Sequence, residues 1–260
     1  MKGRRSLIGL CLLCALAASA IAAQGAAAVT GTTAFTCKKT GKGGAGFSDA
    51  HCTSAKGSGA SFEHVGIEQG LTTELSGTNA NTASGTSAAA QIKLGNTQAG
   101  VKYEIVATTL TGIGSVTNAK TESGEHYVHG TAVVTFEGLT VTQPSEKGCK
   151  VKEEKIVSKE LKATTQEQGD FIKFEPASGT TLASYTLENC VGLNTEQVVT
   201  GSIKCPLSGT TITCTHSDVT AQGTLKEGGF KSGVEGAMTL RTRQNSGEEF
   251  TPASVTTVTT

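Results

Sequence analysis

Val234-Glu-Gly-Ala-Met-Thr-Leu-Arg241 alternates without a break: Val234, Gly236, Met238 and Leu240 hold one set of positions, and Glu235, Ala237, Thr239 and Arg241 hold the other. A period of two puts successive side chains on opposite faces of an extended chain, so the octet reads as a strand with one buried face. The pattern recurs in both directions along the sequence. From Val65 to Leu75 the odd positions carry Val65, Ile67, Leu71 and Leu75, while His64, Glu68, Thr72 and Glu74 lie between them. Val101–Leu110, Thr131–Phe136, Leu139–Thr142 and Phe171–Glu175 read the same way. Glu153–Lys162 is the one helix candidate, because Ile156, Val157 and Leu161 could share a helical face; its β-like flanks favour a strand.

Turn residues punctuate these runs. Gly95-Asn-Thr-Gln-Ala-Gly100 reads as a hairpin loop, and Gln168-Gly169-Asp170 and Glu227-Gly-Gly229 are further turns. Ser76–Ala90 is a small-residue tract, either a long loop or a plain edge strand. Strands spaced roughly 8–15 residues apart predict an all-β fold, an antiparallel β-sandwich of immunoglobulin-like or jelly-roll-like form. With no Trp, its core must be built from Val, Ile, Leu and the 8 Phe. A boundary near Pro144–Gly148 would divide residues 29–260 into two β-lobes, although no internal repeat marks them.

The N-terminus gives a compartment. Lys2, Arg4 and Arg5 precede an apolar run from Leu7 to Ala23, and small residues continue to Ala28. That is the charged, apolar and small-residue order of a signal peptide over 1–28. Cys11 and Cys14 lie in its apolar part and would leave with it. Arg4-Arg5 is read as ordinary leader charge for general secretion rather than a twin-arginine signal. No second run of about 18 apolar residues follows, so no membrane span is expected after cleavage.

Six cysteines then remain: Cys37, Cys52, Cys149, Cys190, Cys205 and Cys214. An even count in an exported chain predicts disulfides, and order along the chain suggests Cys37–Cys52, Cys149–Cys190 and Cys205–Cys214 among the many connectivities six allow. The last pair is the firmest, because Pro206-Leu-Ser-Gly-Thr makes a turn that sets the two sulfurs across a hairpin. A zinc site would want closely spaced cysteine pairs, and no pair outside the leader has that spacing.

Composition removes several classes of function. Without the three leader bases, 19 bases face 22 acids, a formal charge of −3. Lys147 to Lys162 mixes six lysines with three glutamates, a solvated strip rather than a phosphate-binding surface, and no nucleic-acid partner is expected. Only Asp49, Asp170 and Asp218 are aspartates, too scattered for a calcium loop. Tyr103, Tyr127 and Tyr185 are the only tyrosines, a weak stock for stacking sugars.

No G-x-S-x-G elbow, phosphate-binding glycine loop or H-E-x-x-H motif is present outside the leader. His126 and His129 would share a helical face, but in a strand their odd spacing sends them to opposite sides. Glu153-Glu154 and Glu248-Glu249 diverge on a strand and read as solvated charge. His51 and His216 stand beside cysteines with nothing else to mark them. No catalytic residue, metal ligand or cofactor is expected.

Gly31-Thr-Thr-Ala-Phe-Thr-Cys37, Gly100-Val-Lys-Tyr-Glu-Ile-Val106, Lys147-Gly-Cys-Lys-Val151, Leu161-Lys-Ala-Thr-Thr165 and Lys173-Phe-Glu-Pro-Ala-Ser-Gly179 resemble phrases of an uncharacterised family of secreted, β-rich proteins from Thermoleophilia-type actinobacteria. The resemblance covers most of residues 29–260 and implies export and β structure, with no known activity. Many members of that family have cysteines where this chain has Ala107 and Leu139, a departure that suits a bridge exchanged for apolar contact.

The sequence thus predicts a secreted, non-enzymatic β-protein with a structural or adhesive role at the cell surface or in the extracellular matrix. It would be held noncovalently to an envelope polymer or to itself. A glycan- or small-ligand-binding module is the second reading, marked by a concave patch containing Tyr103, Tyr127 or Tyr185. A hydrolase with unfamiliar motifs is the third, marked by a buried Glu/His cluster.

Overall fold

In a computed structural model, the described residues are 30–41, 43–50, 52, 54–79, 92–98, 100–145, 148–166, 170–190, 195–208, 211–216 and 224–259. The expected signal peptide, His51, most of Ser76–Ala90, and parts of the Pro144–Gly148 and Gln168–Asp170 stretches lie outside them. No helix occurs among the described residues. The strands begin with β1 (Thr30–Lys39), β2 (Gly46–Phe47), β3 (Ala55–Lys56) and β4 (Phe62–Gly66). The middle of the chain gives β5 (Thr73–Asn79), β6 (Ile92–Gln98), β7 (Val101–Ala107), β8 (Thr109–Lys120), β9 (His126–Glu137) and β10 (Thr140–Gln143). Shorter strands follow: β11 (Lys150–Val151), β12 (Lys155–Val157), β13 (Leu161–Thr164), β14 (Phe171–Pro176), β15 (Thr181–Glu188) and β16 (Glu196–Thr200). The last are β17 (Ile203–Ser208), β18 (Thr211–His216), β19 (Lys226–Glu227), β20 (Phe230–Arg243) and β21 (Thr251–Thr259). Glu153–Lys162 forms no helix and contributes the short strand β12 and the start of β13, as its flanks predicted.

The expected sandwich is corrected to a closed barrel. Eight strands pair antiparallel in a ring, β5–β8–β9–β13–β14–β17–β18–β20, and β20 returns to β5. β20 makes the closure because it is long. Val234–Thr239 pair with β18 while Met238–Arg243 pair with β5, so one strand joins the two edges that a sandwich would leave open. The set Val234, Gly236, Met238 and Leu240 that the alternation predicts to be buried runs along its inner side, and the first three line the interior.

Accessory sheets surround the ring. β6, β7 and β10 branch from the first half of β20. β15, β16 and β19 form a second sheet, joined to the start of β20, that turns Leu182, Tyr185 and Val199 toward the interior. Near the opposite end β1 runs between β21 and β4. There Asn118 fastens β1 to the barrel: its Oδ1 accepts from the Ala34 amide at 2.8 Å, and its Nδ2 donates to the carbonyls of Ala34 at 3.0 Å and Ile67 at 2.8 Å. Strands from either side of Pro144–Gly148 stand side by side, as β9 with β12 and β13.

The sulfur atoms of Cys37–Cys52, Cys149–Cys190 and Cys205–Cys214 lie 2.05, 1.98 and 2.01 Å apart, the pairs that chain order suggested. Cys205 and Cys214 lie on β17 and β18, which pair as neighbours. Ala107 is buried in the core and Leu139 packs against it. Two local expectations change. The Val65–Leu75 pattern breaks into β4 and β5, leaving Leu71 in the connection, 41% exposed. β6 also continues through most of the expected 95–100 loop, pairing Gln98 with Val101.

Candidate functional site

An eight-stranded barrel encloses just enough room for side chains to fill, or for one small ligand. Here the filling is incomplete. Large aromatic side chains are scarce, and Gly236 and Ala183 face inward where bulkier residues would close the gap. An internal cavity of about 110 Å³ remains, and the surface it exposes is wholly apolar. Leu110, Phe136, Ile156 and Phe174 supply the barrel side, and Leu182 and Val199 the second-sheet side.

Tyr185 connects this cavity to a buried polar cluster. It lines the cavity, and its hydroxyl donates to Glu227 Oε1. Glu227 is only 2% exposed. A two-residue turn holds it there: Glu227 pairs with Phe230 across Gly228 and Gly229, whose φ values of 56° and 88° fit the mirror-image turn that glycines allow. Ser232 Oγ lies 3.1 Å from both Glu227 Oε2 and the Gly95 carbonyl. Asn96 Nδ2 donates to the Glu227 carbonyl at 3.1 Å, and Gln98 Nε2 to Gln197 Oε1 at 3.1 Å.

Burial pushes the Glu227 carboxyl above its ordinary range, against the lowering pull of the Tyr185 and Ser232 hydroxyls. Burial, reinforced by Glu227, lifts the Tyr185 phenol well above its ordinary value. Ser232 has one hydroxyl proton to share between Glu227 Oε2 and the Gly95 carbonyl.

The other titratable groups singled out in the sequence do not converge here. His126 and His129 sit on β9, opposite Lys120 and Thr117 respectively. Glu153 Oε2 accepts the Thr186 amide at 2.8 Å, and Glu248 accepts from Asn245. No cluster of three or more His, Cys, Asp or Glu suited to a metal occurs among the described residues. Of the three tyrosines singled out in the sequence, Tyr185 reaches the cavity, and the disulfide-bonded Cys214 lines it too. Glu227, Ser232, Asn96 and Gln98 were missed. The available signal was their register, because Asn96 and Gln98 continue the inward set of Ile92 and Leu94. No family model, curated protein or solved structure matches the chain.

Proposed function

We propose that this is a non-enzymatic barrel that binds one small, largely apolar molecule in its interior and works outside the cytoplasm. The carrying observation is the unfilled apolar cavity. Protein interiors are close-packed, and leaving 110 Å³ empty forgoes about 2.6 kcal/mol at roughly 24 cal/mol per Å³. An apolar cavity of this order stays dry and accepts benzene-sized molecules. Tyr185 in its wall is the mark that favours the binding-module reading over a purely structural or adhesive one. Glu227 does not rescue the hydrolase reading, since its side-chain partners are Tyr185 and Ser232 rather than a histidine. Three cystine pairs and the resemblance to secreted β-rich proteins support the extracytoplasmic setting. Among the described residues no helix is long and apolar enough to cross a membrane.

The test is a benzene titration of the oxidised protein, followed by methyl chemical shifts. Saturable shifts concentrated at Ile156, Leu182 and Val199, with a raised melting temperature, are expected. Shifts that grow linearly to the solubility limit, or that spread evenly over surface methyls, would overturn the reading.

A further inference from the structure

On the outer side of the cavity wall lies an open groove of about 610 Å³, lined by the ends of β13, β14 and β16 and by the segment entering β19. We propose that it binds a segment of an acidic glycan, an oligosaccharide carrying carboxylate or phosphate groups. This site is separate from the cavity and does not depend on the cavity being filled.

Charge argues first. Among the described residues, Lys162, Lys173 and Lys226 face the groove with a single carboxylate, Glu175. Glu175 is already engaged, at 3.0 Å from Lys162 and 2.6 Å from Lys173. Those two ammoniums hold its carboxyl below the ordinary range. Lys173 also stands directly opposite Lys204 in the β14–β17 register, and like charges in that position repel. Among the described residues neither Lys204 nor Lys226 makes an ion pair. The groove and its rim therefore carry surplus positive charge that an anionic occupant would offset.

The remaining surface argues for a sugar. Thr180, Thr200, Ser202 and Thr224 add hydroxyls, with Ser202 Oγ and Thr224 Oγ1 3.2 Å apart. Gly201, at φ 99°, keeps the floor open where a Cβ would collide with the Thr224 carbonyl. Among the described residues no aromatic ring lines the groove, so neither a base nor a sugar face has a stacking platform there and an occupant would be held by charge and hydroxyl contacts. The alternation that builds the strands also divides the labour: Leu161, Phe174, Val199, Ile203 and Leu225 face the cavity, while Lys162, Lys173, Thr200, Ser202 and Lys226 face the groove.

The experiment is calorimetric titration of the full chain with trigalacturonate, phosphorylated maltotriose, maltotriose and a thymidine trinucleotide. Binding of trigalacturonate, phosphorylated maltotriose or both is expected, weakening as salt rises, with maltotriose inert. Which anion binds identifies the acidic group. Lys226→Ala, at an exposed position, should leave the melting temperature unchanged and weaken binding about tenfold. Lys204→Ala provides a second variant on the other side of the surplus charge. Failure of both anionic sugars to bind, equal binding of maltotriose, preference for the trinucleotide, or full affinity in both variants would each overturn the proposal.

Discussion

Gly236→Ala should make this protein more stable, a sign opposite to that of most core substitutions. Gly236 lines the cavity, and a Cβ built on it would lie 3.5 Å from Leu110 Cδ2 and 3.6 and 3.7 Å from the Ile92 γ-carbons. Those are ordinary van der Waals separations, and the glycine is not in the left-handed region that would strain an alanine. The added methyl contributes about 0.8 kcal/mol by leaving water for an apolar site. Restricting the unfolded backbone contributes roughly 0.4–1 kcal/mol more. The sum is about 1.5 kcal/mol, below the roughly 2.6 kcal/mol available from filling the whole cavity. For a domain of this size that corresponds to a rise in Tm of roughly 3–6 °C. Scanning calorimetry and guanidinium unfolding of the oxidised protein would measure it, and benzene affinity should fall as the cavity shrinks. Gly95→Ala is the internal contrast, because its Cβ would meet the Tyr103 carbonyl oxygen at 2.6 Å, and it should destabilise. An unchanged or lowered Tm for Gly236→Ala would refute the reasoning, showing that β20 needs a glycine there for its curvature rather than leaving space.

Three further outcomes follow from features outside the cavity. Because burial raises the Glu227 pKa, the folded state holds a proton that the unfolded chain releases near its ordinary value of 4.5. Stability should therefore fall as pH rises from about 4.5 toward the raised folded value and then level off; Glu227→Gln should flatten that slope in pH-dependent urea unfolding, and an unaltered slope would show that Glu227 does not titrate as argued. Asn118→Ala removes three hydrogen bonds and takes the side-chain partner from the Ala34 amide and the Ile67 carbonyl, while the Ala34 carbonyl keeps the Ile67 amide as a donor; the expected loss is about 3 kcal/mol by denaturant unfolding, with amide exchange along β1 rising first. Replacing Cys149 and Cys190 with serine opens a 41-residue span and should cost about 4 kcal/mol, against about 2.5 kcal/mol for the 9-residue Cys205–Cys214 span; the reverse order in paired unfolding curves would contradict the chain-entropy account.

The strands were legible because burying one face of an extended chain leaves a period of two, which Val234–Arg241 displays in full. The closure was not. A sandwich and a barrel impose the same period, and they differ in whether a strand such as β20 is long enough to pair with two partners at different heights. Leu71 misled because an apolar residue at an alternating position says nothing about whether the chain stays extended. The cystine pairs were readable because each cysteine found its next neighbour in the chain. The polar cluster was hidden for a different reason. Glu227 precedes two glycines and reads as exposed turn charge, yet the tightness of that turn is what presses its carboxyl inward against Tyr185. Nor did the cavity have a sequence signature, since an absence of volume is written in no single residue.

The strand layer between cavity and groove has a consequence beyond housing two surfaces. No second layer of side chains insulates one from the other: Leu225 points one way, and Thr224 and Lys226 point the other from adjacent α-carbons. Were an occupant on either side to displace that backbone, the spacing presented to the opposite side would change with it. Equilibrium then imposes a symmetry. If an occupant of the groove changes affinity in the cavity by some factor, the cavity's occupant must change affinity in the groove by the same factor. If both proposed sites bind, the sign of any coupling across this one-chain-thick partition would determine whether an occupied groove tightens or loosens the hold on a molecule in the cavity.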